Sequence, residues 1–141
     1  MKDVDITKLL DEGFNCSQIV LSSFAEDLGL DSEMANKVAT CFGGGMGSGD
    51  TCGAVTGALM VLGLKYGNYL PYASQAEAKR KSAQFKKKFL EEYNSLVCQE
   101  LLGYNVSVPE DMKILMENNT IMNFCPGVIA YAMEILEEIL E

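Results

Sequence analysis

Residues 43–66, GGGMGSGDTCGAVTGALMVLGLKY, decide how this chain folds. Positions 43–49 carry five glycines in seven residues, too flexible to continue a helix. Positions 52–66 read as a helix that is apolar on every side, which places it at the centre of a globule. Its uninterrupted apolar run, 52–64, has 13 residues, short of the roughly 20 needed to cross a bilayer. Gly53 and Gly57 stand four apart with Ala54 and Ala58 beside them. That small face invites another helix, or the glycine segment itself, to approach closely.

The segments on either side keep helical periodicity. Residues 5–11 form a short amphipathic helix ending at Gly13. Residues 16–28 form the next, with Asn15 and Gln18 as a capping box and Ile19, Val20, Phe24 and Leu28 as its stripe. Asp31 or Ser32 caps a helix over 33–42, whose apolar side is Met34, Val38 and Cys41 or Phe42. Residues 74–95 make the longest helix, burying Phe85, Phe89, Tyr93 and Leu96. A helical turn follows at 96–102, Pro109 opens a helix over 110–117, and Cys125-Pro126 opens the last one. Residues 104–108 are the sole candidate extended segment. The expectation is an all-α, single-domain (1–141) compact bundle of about six to seven helices, with a Gly-rich loop before a buried central helix.

Composition narrows the chemistry. The chain has 141 residues, 48% of them hydrophobic, and a net charge of −9. That size supports a core without staples, and that charge argues against nucleic-acid binding. The amino-terminal MKDVDITKLLDEGF carries no apolar secretory segment, so a cytoplasmic location without membrane insertion is expected. In that compartment cysteines serve catalysis, redox or metals more often than structure. With no histidine, Cys–His and Ser–His nucleophile pairs, Cys₂His₂ zinc and His-ligated haem are ruled out.

Four of the five cysteines read as helix starts. Cys16 follows Asn15, Cys52 follows Asp50-Thr51, Cys98 comes three residues after Ser95, and Cys125 precedes Pro126. Free N–H groups and the positive end of the helix dipole favour a thiolate there, so lowered pKa values are expected. Cys41 instead lies on an apolar stripe at a helix's carboxyl end and reads as a small buried hydrophobe. There is no Cys-x-x-Cys pair; the four thiols are separated by 36, 46 and 27 residues and meet only if tertiary packing brings them together. The glycine segment is no phosphate loop, because it lacks Gly-Lys-[Ser/Thr] and follows a helix rather than a strand. Bare N–H groups of Gly44, Gly45, Gly47 and Gly53 can instead approach a sulfur anion or a cluster. Lys79, Arg80, Lys81, Lys86, Lys87 and Lys88 form a solvated face or a docking patch for an acidic redox partner. Glu134, Glu137, Glu138 and Glu141 could mate with that patch in a homodimer.

These residues resemble a known pattern. Cys52-Gly53-Ala54-Val55-Thr56-Gly57, preceded by Phe42-Gly43-Gly44-Gly45-Met46-Gly47, forms its centre. Asn15-Cys16-Ser17-Gln18 supplies the first cysteine, Cys98 with Glu100-Leu101-Leu102-Gly103 the third, and Cys125-Pro126 the fourth. Over essentially its whole length the chain is similar to the small bacterial redox proteins named for a C…GCAxxG…C…C pattern. Its Cys-Gly-Ala order differs from the Gly-Cys-Ala of that label, and Cys41 is additional to the pattern. The resemblance implies redox or electron-transfer work done by the cysteines.

Three functions follow. In the first, thiol–disulfide exchange, Cys52 attacks a partner disulfide and Cys16, Cys98 or Cys125 resolves the mixed disulfide. In the second, Cys16, Cys52, Cys98 and Cys125 hold an iron–sulfur cluster or another metal ion, with glycine N–H groups tuning its potential. In the third, the cysteines are simply buried in a helical interaction protein.

Overall fold

A computed structural model describes residues 4–141. Eight α-helices account for nearly all of the regular structure: α1 Ile6–Asp11, α2 Cys16–Ala25, α3 Ser32–Ala39, α4 Gly53–Tyr66, α5 Ala76–Glu92, α6 Cys98–Leu102, α7 Pro109–Glu117 and α8 Thr120–Leu140. Among the described residues none of them is long and apolar enough to cross a membrane. The all-α, single-core architecture is the one the periodicity implies.

The central helix is α4, which packs against α2, α5 and α8. Val55, Ala58, Val61 and Leu62 are fully or almost fully buried along it. Its small face meets α2. A Cβ at Gly57 would stand 2.9 Å from the Ser17 carbonyl oxygen and 3.1 Å from the Val20 Cβ. A Cβ at Gly53 would collide with the Cys16 sulfur. Those glycines therefore set how near two helix backbones come.

Helix starts follow the expected capping chemistry where the sequence supplies it. The Asn15 side chain accepts from the Gln18 N–H at 2.9 Å, and the Gln18 side chain accepts from the Asn15 N–H at 2.9 Å. This capping box fixes where α2 begins, and so fixes Cys16. Asp31 caps α3 through the Glu33 N–H at 3.4 Å.

Several expectations are corrected. On α3 the buried residues are Ala35 and Ala39, whereas Met34 and Val38 are about half exposed. Both pairs have i, i+4 spacing, and the alanines win because small side chains let α3 approach α2 closely. Cys41 accordingly stands exposed, not buried. Helix α5 stops at Glu92, the chain turns extended at Tyr93, and Leu96 lies beyond the helix. The longest helix is α8, with 21 residues. It begins at Thr120, so Pro126 sits inside it rather than opening it. Proline there removes the N–H that would bond to the Met122 carbonyl, and its ring crowds that carbonyl. Residues 104–108 form a turn, in which the Asn105 side chain accepts from the Ser107 N–H at 2.9 Å. Extended pairing falls elsewhere, as a lone antiparallel bridge between Thr51 and Val97.

Helices α5 and α8 are joined by Lys88 and Glu138, 3.0 Å apart. One cation of the basic face thus pairs with the acidic carboxyl-terminal region within a single chain.

Candidate functional site: a four-thiol cavity

Cys16, Cys52, Cys98 and Cys125 line one cavity of about 250 Å³. They arrive on four different elements. Cys16 is the first residue of α2, Cys52 the residue capping α4, and Cys98 the first residue of α6. Cys125 lies in the second turn of α8, so the helix-start placement holds for the other three only.

The Thr51–Val97 bridge places two of the sulfurs. The Cys52 N–H donates to the Leu96 carbonyl at 2.7 Å, and the Cys98 N–H donates to the Asp50 carbonyl at 2.6 Å. Alternate residues of extended chain point the same way, so Cys52 and Cys98 share one side of the bridge. They are diagonal across it, a relation that sets residues roughly 7–8 Å apart with Cβ atoms somewhat closer. A disulfide needs about 3.5–4.5 Å. Held this way, Cys52 and Cys98 are neighbours but not a bonded pair.

The glycine segment closes the other wall. Gly44, Gly45, Met46 and Gly47 are all left-handed, with φ of 63°, 61°, 60° and 69°. Side-chain-bearing residues seldom adopt that conformation in succession. At Gly45 space forbids a side chain as well, since a Cβ would clash with the Asp50 backbone and stand 2.8 Å from the Cys98 Cβ. The four expected glycines part company. Gly44 and Gly53 line the cavity, Gly45 is buried behind Cys98, and Gly47 is exposed with open space around it. Gly47 therefore plays no part in the cavity wall.

Apart from Asn15, the rest of the lining is apolar, and most of it was not singled out from the sequence. It includes Phe14, Leu101, Leu102, Val106, Ile121 and Phe124. A signal for it was present: Leu101 and Leu102 follow Cys98 by three and four residues, and Ile121 precedes Cys125 by four. That spacing puts them on the cysteine's own helix face. No Lys, Arg, Asp or Glu lines the cavity.

This setting reverses the expected electrostatics. Burial raises all four thiol pKa values. Cys52 is pushed up to about 12, first by burial and then by repulsion from a charge on Cys16. Cys98 is pushed up to about 11 by the same two causes. Cys125 is raised by burial and then by Cys16, Cys52 and Cys98. For Cys16 burial is opposed by the N–H groups of Gly44, Ser17, Cys16 itself and Gly53. For Cys52 two N–H groups, those of Ala54 and Val55, oppose it. A helix terminus offers only about half a charge, which does not offset moving a thiolate into an apolar wall. The resting site is a set of neutral thiols, and all five cysteines are free.

Cys16 is the hub. Its charge is the largest thiol influence on each of the other three. A first negative charge at Cys16 thus discourages a second anywhere in the cavity.

A family model described as "Putative redox-active protein (C_GCAxxG_C_C)" matches residues 14–139. The chain belongs to the C_GCAxxG_C_C family. Neither the curated proteins nor the solved structures give a match. As a C_GCAxxG_C_C protein the chain is of redox-active type, and the cysteines that carry the sequence pattern are the four that line the cavity. Cys41 is not in its lining. Four thiols are a suitable donor set for a cluster or a soft metal. Among the described residues, however, no three Cys, Asp or Glu side chains stand close enough together to hold an ion. The cavity supplies the donor type without the required convergence.

Proposed function

We propose that the four-thiol cavity is a two-electron dithiol–disulfide centre in which Cys16 attacks and Cys52 resolves. The observation that carries this reading is the backbone around Cys16, whose sulfur is influenced by the N–H groups of Gly44, Ser17 and Gly53. These are the groups best able to steady a transient thiolate. Cys52 immediately precedes Gly53, the residue whose Cβ position meets the Cys16 sulfur. This exchanges the roles expected from sequence, where Cys52 attacks: with fewer N–H groups around its sulfur, and repelled by a charge on Cys16, it is the second thiol to lose a proton.

An apolar cavity favours uncharged states, and both the dithiol and the disulfide are uncharged. Reduction then takes up two electrons and two protons together. The midpoint potential should fall by about 59 mV per pH unit from pH 6 to 9 without a break in slope. A break inside that range, seen in a redox titration against a thiol buffer, would show a lowered thiol pKa and contradict the raised values.

Anaerobic purification followed by mild oxidation tests the centre itself. The expected product is colourless and iron-free, with a Cys16–Cys52 bond found by peptide mapping. Stoichiometric iron with a visible charge-transfer band would replace this reading with a cluster held by the same four cysteines.

A further inference from the structure

The cavity also bears on what kind of molecule the thiols meet, a deduction that rests on the dithiol reading above. We infer that the oxidised substrate is a small uncharged disulfide with apolar substituents, bound inside the cavity, rather than a charged disulfide. Two observations carry this. The lining contains no charged side chain to pair with a carboxylate or an ammonium group, and burying an unpaired charge is costly. The volume, about 250 Å³, lies below the roughly 300–1,000 Å³ of pockets for drug-sized ligands, so the occupant is small. Phe14, on the same lining, is 36% exposed.

The chemistry balances without a further reagent. The Cys16 sulfur attacks one sulfur of R–S–S–R, the S–S bond breaks, and the departing RS⁻ takes the proton that Cys16 releases. The product is a mixed disulfide of Cys16 with the second R–S group. The Cys52 sulfur then attacks the Cys16 sulfur, and the second RS⁻ leaves with the Cys52 proton. The protein loses two hydrogens, and two molecules of R–SH form.

The test is a single turnover of the fully reduced chain without oxygen, using dipropyl disulfide and glutathione disulfide in parallel. Each rate is divided by that of a free model thiol with the same reagent. The expected corrected ratio favours dipropyl disulfide by about tenfold or more, with two propanethiols released per Cys16–Cys52 bond. The variant Phe14→Arg, which places a cation at an exposed position of the lining, should bring that ratio down by at least about threefold. A corrected ratio at or below one overturns the substrate class. So does failure of both disulfides when diamide, a small general thiol oxidant, still forms the Cys16–Cys52 bond; the dithiol reading then survives without this substrate. If diamide forms no such bond either, the dithiol reading falls and the substrate class falls with it.

Discussion

Gly57 and Gly63 lie in one helix, six residues apart, and do opposite things. Gly57, in the half of α4 that leads to the thiols, is pressed against the α2 backbone. Gly63, in the distal half, has nothing within 4 Å of where a Cβ would be. The same division runs through the molecule. The thiol end is built from closely spaced backbone and a lining without charged side chains. The distal end carries the 67–75 connection, where Tyr69 and Tyr72 are more than nine-tenths exposed, and the mixed charges of α5 and α8. Glycine marks close approach at one end of the helix and is only a weak helix former at the other.

That contrast can be broken by mutation. Gly57→Leu should cost about 3 kcal/mol or more, because backbone rather than a flexible side chain blocks the new atoms; urea unfolding with an unchanged slope measures it. A near-neutral result would mean that α2 and α4 are not packed as described.

Alkaline pH should act almost as strongly at the thiol end. The folded pKa of Cys52 is raised from 9.0 to about 12. Above pH 9 the unfolded chain releases this proton while the folded one keeps it, so stability is intact below pH 9 and declines as pH rises toward 12. Cys52 alone accounts for a loss of about 2–3 kcal/mol between pH 9 and 11. The pH dependence of unfolding in Cys52→Ala should be correspondingly shallower; an unchanged dependence would place the titration elsewhere.

At the distal end the effects shrink and change sign. Gly63→Ala should stabilise by about 0.5–1 kcal/mol, as open space and ordinary helix propensity allow. Replacing Tyr69 and Tyr72 by serine should shift stability by no more than about 0.5 kcal/mol, read as a near-constant Tm.

The two ends also differ in how far the sequence reveals them. The central helix, its small face and the Asn15–Gln18 box were legible because each depends on neighbours within one or two turns. The grouping of the four motif cysteines, apart from Cys41, was legible through the resemblance and the Gly-rich context. The direction of the pKa shifts was not. It depends on walls contributed by Phe14, Val106 and Phe124, which no local window connects to Cys52. Pro126 misled for a related reason: proline usually opens a helix, but here the apolar stripe from Ile121 to Ile129 holds α8 together through it. On α3 two equally spaced pairs competed, and only the distance to α2 chose the alanines.

The bridge between Thr51 and Val97 has a consequence for how the protein comes into being. It joins segments 46 residues apart, and closing such a loop is an entropic step that local helix formation does not supply. Cys125 joins later still in chain order. During synthesis the four thiols are therefore strangers, and four cysteines oxidised at that stage can pair in three ways. The reactive centre exists only once the whole chain has closed upon itself. A nick in the connection between α4 and α6 would leave the helices largely intact and dissolve the centre.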